Sequence, residues 1–147
     1  MTELQAALGL SQMTRQHEFV TERHRIAAEY DARFAGVPVA TPFQHPDSYS
    51  GFHLYVIRVR LGAIGRTHRE VFDALRVAGV GVNLHYIPVY LQPDFAALGF
   101  TPGLCPNAEA YYAEAISLPM FPALSDADMT IVVEAVRDAV TTKVPSA

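Results

Sequence analysis

Phe52-His53-Leu54-Tyr55-Val56-Ile57-Arg58-Val59 is the stretch on which the fold of this chain turns. Strand alternation sets Phe52, Leu54, Val56 and Arg58 on one face and His53, Tyr55, Ile57 and Val59 on the other. Both faces are largely apolar, which predicts an interior strand rather than a solvated edge.

Working outward, Pro38 to Gly51 reads as a loop rich in Pro, Ser and Asp. Before it, the spacing predicts one long helix from about Thr2 to Phe34. Leu4, Leu8, Gln12, Arg15, Phe19, Ile26, Tyr30 and Phe34 recur at three- and four-residue steps, with Glu22 and Arg23 interrupting the stripe. Gly36 and Pro38 end it. The helical register already runs at Met1 with no capping sequence before it, which suggests a chain that begins inside a larger design. Downstream, Thr67-His68-Arg69-Glu70 is a capping box for a helix carrying Val71, Phe72, Leu75 and Ala78, closed by Gly79. Val82 to Ile87 reads as a second strand stopped by Pro88. The stretch to Cys105 is irregular, with one helical turn around Asp94 to Leu98. Pro106 opens a short helix to about Ala113. Ala115 to Leu118 is a third strand, and Ser125-Asp126-Ala127-Asp128 caps a last helix with Met129, Val132, Val133, Val136 and Val140 as its stripe. The expected fold is a two-layer α+β domain with helices packed on a small, mainly antiparallel sheet. Its expected division is the helix over 1–34, the domain proper over 35–141 and a tail over 142–147.

A chain of 147 residues suits one domain, and half of its residues are hydrophobic. The net charge of -4 gives no electrostatic reason for a nucleic-acid or anionic-membrane partner. No apolar run approaches the roughly 18 residues that span a bilayer. Cys105 is the only cysteine, so no internal disulfide framework is possible. With no basic-then-apolar leader, the expectation is a soluble, cytoplasmic protein.

No self-contained catalytic set is present: there is no G-x-S-x-G, no phosphate-binding glycine loop and no H-E-x-x-H. His17 and His24 share a helix face but lie roughly 10 Å apart by helix rise, too far for one ion, so no metal site is expected. Lys143 is the only lysine and sits near the chain end, a poor place for an amine that must be held rigidly and partly desolvated. The densest polar and aromatic segment is Asn83-Leu84-His85-Tyr86-Ile87-Pro88-Val89-Tyr90. Pattern alone reads Tyr86 and Tyr90 as packing residues and His85 as a satisfied, half-buried histidine. A strand end that breaks into an irregular loop is also a common place to present such groups at a site.

Several segments carry a resemblance. Ala6-Ala7-Leu8-Gly9-Leu10-Ser11-Gln12-Met13 resembles the A-A-L-G-L-x-Q-L segment of the DegT/DnrJ/EryC1/StrS sugar aminotransferases. His53-Leu54-Tyr55 with Arg58-Val59 is similar to the family's H-L-Y/F strand, and His85-Tyr86-Ile87-Pro88 to its H-Y-x-P segment. Pro106-Asn107-Ala108-Glu109 and Ile116-Ser117-Leu118-Pro119-Met120-Phe121-Pro122 resemble P-N-A-E and S-L-P-x-x-P. All occur in the family's order. The form His85 to Pro93 most resembles the subgroup that makes UDP-4-amino-4,6-dideoxy-N-acetyl-β-L-altrosamine in pseudaminic acid synthesis.

The resemblance implies the small C-terminal domain of a fold-type I, pyridoxal 5'-phosphate (PLP)-dependent enzyme. That enzyme moves an amino group from glutamate to a UDP-linked 4-keto-6-deoxy sugar, and it works as a homodimer. It also implies that the catalytic lysine, the acid facing the pyridinium nitrogen and the phosphate-holding residues belong to a large domain upstream of Ala6. No catalytic or PLP-binding residue is therefore expected here, and the chain alone is expected to be inactive and to bind no PLP. The resemblance makes His85 and Tyr86 the candidates for the substrate-cleft wall. Arg58 is a candidate for a carboxylate or phosphate, against an ion pair with a neighbouring acid. Glu109 reads as a structural first-turn carboxylate, and Ser117 and Pro119 as strand-end geometry. The alternatives are a non-catalytic binding or regulatory module that pairs with a separate large-domain chain, and an unrelated α+β enzyme using His85.

Overall fold

The computed structural model describes residues 1–141. The expected tail over 142–147, with Lys143, lies outside the described residues. Nine elements follow in order: α1 (Glu3–Met13), α2 (Gln16–Arg33), β1 (Val39–Ala40), β2 (Tyr55–Val59), α3 (His68–Val77), α4 (Pro93–Ala96), α5 (Pro106–Tyr112), β3 (Ala115–Leu118) and α6 (Asp126–Thr141), with short 3-10 turns at Leu61–Ala63 and Val89–Leu91.

The sheet has the order β1-β2-β3 and is antiparallel throughout. β2 is the middle strand, as its two apolar faces predicted. Tyr55, Ile57 and Val59 are completely buried on the side covered by α2, α3 and α6. Ile26 and Tyr30 of α2, Val71 and Leu75 of α3, and Met129 and Val136 of α6 meet them there, all fully excluded from water. The architecture is the expected α+β domain with helices against a small antiparallel sheet. Two hydrogen bonds lock α2 to the sheet layer: the Tyr55 hydroxyl donates to Asp31 Oδ1 at 2.5 Å, and the Tyr30 hydroxyl to the Pro119 carbonyl at 3.1 Å. Burial, and then the Asp31 carboxylate, push the Tyr55 phenol well above its ordinary value; burial alone does so for Tyr30.

Several expectations are corrected. The first helix is two helices. The Thr14 hydroxyl donates to the Ser11 carbonyl at 2.7 Å and the Arg15 amide to Gln12 at 3.0 Å, so both bond three residues back and break the α register. Nor does α1 lack a start: Thr2 and Gln5 form a reciprocal capping box. None of its apolar residues is buried. β2 begins at Tyr55 rather than Phe52, because Phe52 has φ 42, in the left-handed region that no ladder accommodates. Val39–Ala40, inside the expected loop, pairs with Arg58 and Val59 of β2. Val82 to Ile87 is not a strand; only Asn83 pairs, as a single bridge to Ser117. The Ala115 carbonyl, which a further rung would use, accepts instead from His68 Nε2 at 3.0 Å, and the Leu84 amide, on the side away from β3, donates to the Asn83 side chain at 2.8 Å.

The Thr67 capping box forms as its residues predict. Glu70 Oε2 accepts from the Thr67 amide at 2.7 Å and its hydroxyl at 2.8 Å, and these bonds hold Glu70 below the usual carboxylate range. Beside it, the Arg66 guanidinium donates to the Ala139 carbonyl at 2.9 Å and satisfies one carbonyl of the last turn of α6. Thr67→Ala is expected to cost about 1 kcal/mol, lowering Tm by about 2–4 °C in a thermal melt, with Thr67→Ser close to the wild type.

Candidate functional site

The face of the sheet turned away from α2, α3 and α6 carries the candidate residues. In an antiparallel pair, residues directly opposite share a face. Val56 stands opposite Ser117 and Arg58 opposite Ala115, so Arg58 and Ser117 project from the same outer face. Tyrosines aside, Ser117 is the only buried polar residue among the described residues, at 4% exposure. Its backbone amide donates to the Asn83 carbonyl at 2.9 Å, and its carbonyl accepts from the Asn83 amide at 3.2 Å. Its hydroxyl lies 2.7 Å from His85 Nδ1.

His85 is thus half-buried, with one ring nitrogen spoken for by Ser117 and the other edge turned away from it. The Tyr86 ring stands edge-on to it with centroids 4.7 Å apart, and its side chain is 72% exposed. The His85–Tyr86 peptide is cis. Tyr86 is therefore not the packing residue that pattern alone suggests. Arg58 Nη1 lies 3.9 Å from Glu114 Oε2, a loose and half-exposed ion pair worth little. The Arg58 side chain also lines an open hollow of ≈ 340 Å³ with Thr41, Phe43, Val56 and Tyr111. The structure brings His85 and Tyr86 together and sets Arg58 on the same face, along the sheet from them.

The strand-end geometry expected of Ser117 does not account for its hydroxyl, which bonds His85. The available signal was a hydroxyl inside the apolar strand Ala115-Ile116-Ser117-Leu118, since a buried hydroxyl requires a partner.

Tyr90 and Glu109 form a clamp behind this segment. The Tyr90 hydroxyl donates to Glu109 Oε1 at 2.5 Å, and the Gly103 amide donates to the same oxygen at 2.6 Å. The Cys105 amide donates to the Tyr90 hydroxyl at 3.1 Å. The clamp ties the irregular stretch containing α4 to the first turn of α5. The Tyr90 hydroxyl, then the Gly103 amide, hold Glu109 below the usual carboxylate range; partial desolvation and then Glu109 raise Tyr90. No group of three or more His, Cys, Asp or Glu among the described residues can hold a metal ion. No helix among them is long and apolar enough to cross a membrane.

The family model described as DegT/DnrJ/EryC1/StrS aminotransferase matches residues 1–137. The chain belongs to that family. As a DegT/DnrJ/EryC1/StrS chain it is 40% identical over 143 residues to the spore coat polysaccharide biosynthesis protein SpsC of Bacillus subtilis, matching 95% of this chain and 37% of SpsC. Against Spr1654 of Streptococcus pneumoniae, assigned as a sugar aminotransferase and solved in its PMP-form, the TM-score is 0.88 with 31% identity, covering 95% of this chain and 35% of that one. Helicobacter pylori PseC, an aminotransferase involved in the biosynthesis of pseudoaminic acid, superposes with a TM-score of 0.84 at 27% identity, covering 95% of this chain and 38% of that one. The chain thus spans little more than a third of the length of these relatives.

The Glu109 clamp has a pH signature. A carboxylate held below its unfolded value contributes stability above the ordinary carboxylate range and loses it as pH falls through the depressed value. Glu109→Gln is expected to lower Tm at pH 7, and the gap to the wild type should close as pH falls below about 4. A gap constant across melts from neutral to acid pH contradicts this account of the clamp.

Proposed function

We propose that this chain is the C-terminal part of a PLP-dependent nucleotide-sugar aminotransferase, and that it forms one wall of the substrate cleft without carrying the reaction centre. The observation that supports it most is the combination of a family match over residues 1–137 with a span of little more than a third of the relatives. Relatives solved in PLP- and PMP-forms support PLP as the cofactor of the whole enzyme. The residues described here do not fit that cofactor. PLP transamination needs a lysine as Schiff-base partner and proton shuttle, and residues 1–141 contain none. The reaction centre belongs, on this reading, to a large domain present in cis or as a separate chain. The dimer, the UDP-linked 4-keto-6-deoxy sugar as acceptor of glutamate's amino group, and a cytoplasmic location complete the proposal.

In that assembly His85 and Tyr86 face the nucleotide sugar. The imidazole edge not engaged by Ser117, and an exposed phenol, are suited to hydrogen-bond a sugar or diphosphate oxygen. Arg58 is the further candidate for an anionic group, in exchange for its loose contact with Glu114.

Incubating the 147-residue chain with PLP, reducing with borohydride and mapping by mass spectrometry should give no stoichiometric adduct. A stoichiometric adduct at Lys143 that supports transamination would overturn the proposal. With the large domain restored, His85→Asn tests the cleft wall. Asn retains a polar atom near the position of Nδ1, and so the Ser117 contact, but has nothing at Nε2. Specificity (kcat/KM) for the nucleotide sugar should fall about tenfold to a hundredfold, the worth of one hydrogen bond to a charged group, with Tm nearly unchanged. Unchanged kinetics would remove His85 from the cleft.

A further inference from the structure

Ser117 is the odd residue of the sheet: a hydroxyl sealed between β2 and the Asn83–His85 segment, on a strand otherwise apolar. Its backbone groups are both committed to Asn83, so only the hydroxyl is left to satisfy. Among the described residues, His85 Nδ1 at 2.7 Å is the only hydrogen-bond partner of that oxygen. A serine hydroxyl carries one hydrogen and must place it on an acceptor, and a neutral imidazole has one donor nitrogen and one acceptor nitrogen. Two arrangements are therefore conceivable. If Nδ1–H donates to the serine oxygen, the Ser117 O–H is left buried with no acceptor among the described residues. If Ser117 O–H donates to Nδ1, every group at the contact is used. Buried polar hydrogens without partners are rare and costly, which decides for the second arrangement.

We propose that Ser117 is a positioning residue that holds His85 as its Nε2–H tautomer, making the exposed edge of the ring a hydrogen-bond donor. The tautomer of a histidine follows from what its other nitrogen bonds. Here the far nitrogen is set by a residue that never reaches the surface. A neutral Nε2–H selects an acceptor oxygen, such as a phosphate, carbonyl or hydroxyl oxygen, and offers nothing to an ammonium group. The bridge between Asn83 and Ser117 fixes the backbone on both sides of this contact, so the ring is held in place as well as in protonation. That the acceptor is an oxygen of the nucleotide sugar rests on the cleft reading above; the tautomer itself does not.

Long-range nitrogen–proton NMR on the full chain, at a pH where the imidazole is neutral, reads the tautomer directly. The His85 signals are assigned by their disappearance in His85→Asn. The expected result is Nδ1 in the pyridine-type range and Nε2 in the pyrrole-type range for the wild type. In Ser117→Ala both nitrogens should move toward averaged values, and in Ser117→Thr, which keeps the hydroxyl, they should return toward the wild-type pattern. A wild-type ring protonated at Nδ1 overturns the inference, as does an unchanged pattern in a folded Ser117→Ala. The wild-type spectrum decides even if the alanine variant does not fold. Failure here leaves the cleft reading standing on its own kinetic test, and loss of that reading leaves the tautomer result intact.

Discussion

Everything in this domain is referenced to the buried face of β2. Tyr55, Ile57 and Val59 have no exposure at all, and each such side chain is worth roughly 1.5–3 kcal/mol relative to water. They are the surface against which α2, α3 and α6 close. The strand pairs on both edges, so its two neighbours inherit its register. Moving β2 by one residue would exchange its faces and put Val56 and Arg58 into the core. The Tyr55 hydroxyl adds direction to the packing, because its bond to Asp31 ties α2 to this register and not another.

The outer face of the same strand sets the candidate site. Once Val56 faces Ser117, the Ser117 hydroxyl must emerge on the side away from the helices. The segment from Asn83 to His85 covers it, and the ring of His85 is what that cover presents to the outside. Behind it, the Tyr90–Glu109 clamp gives an otherwise irregular stretch a fixed return to α5. The site therefore needs no regular secondary structure of its own: one bridge, one hydroxyl and one carboxylate hold it.

The apolar surface on view fits a chain that spans a little over a third of its relatives. Leu4, Leu8 and Leu10 of α1 are each well over half exposed, and so is Val89. Patches of this kind mark places where other protein is meant to pack. In the proposed assembly the large domain supplies that protein and the missing lysine together.

Local rules were enough for the elements whose cause is local. The alternation of Tyr55 to Val59, the capping box of Thr67 and Glu70, Pro106 at a helix start and the stripe of α6 are each written within a few residues. They settled the fold class, and the ordered segments from Ala6 to Pro122 pointed to the family. What the chain alone did not decide was whatever depends on a partner distant in sequence. The break at Thr14 and Arg15 sits inside a pattern that is helical on both sides, where no packed neighbour holds α1 in line with α2. Val82 to Ile87 has the composition of a strand, yet the β3 carbonyl that its next rung would need is bonded to His68, a residue distant in sequence. His85 and Ser117 lie 32 residues apart, and the bridge between Asn83 and Ser117 brings them to one contact. A hydrogen bond between distant residues leaves no periodicity in the sequence; it exists only once the sheet has chosen its register.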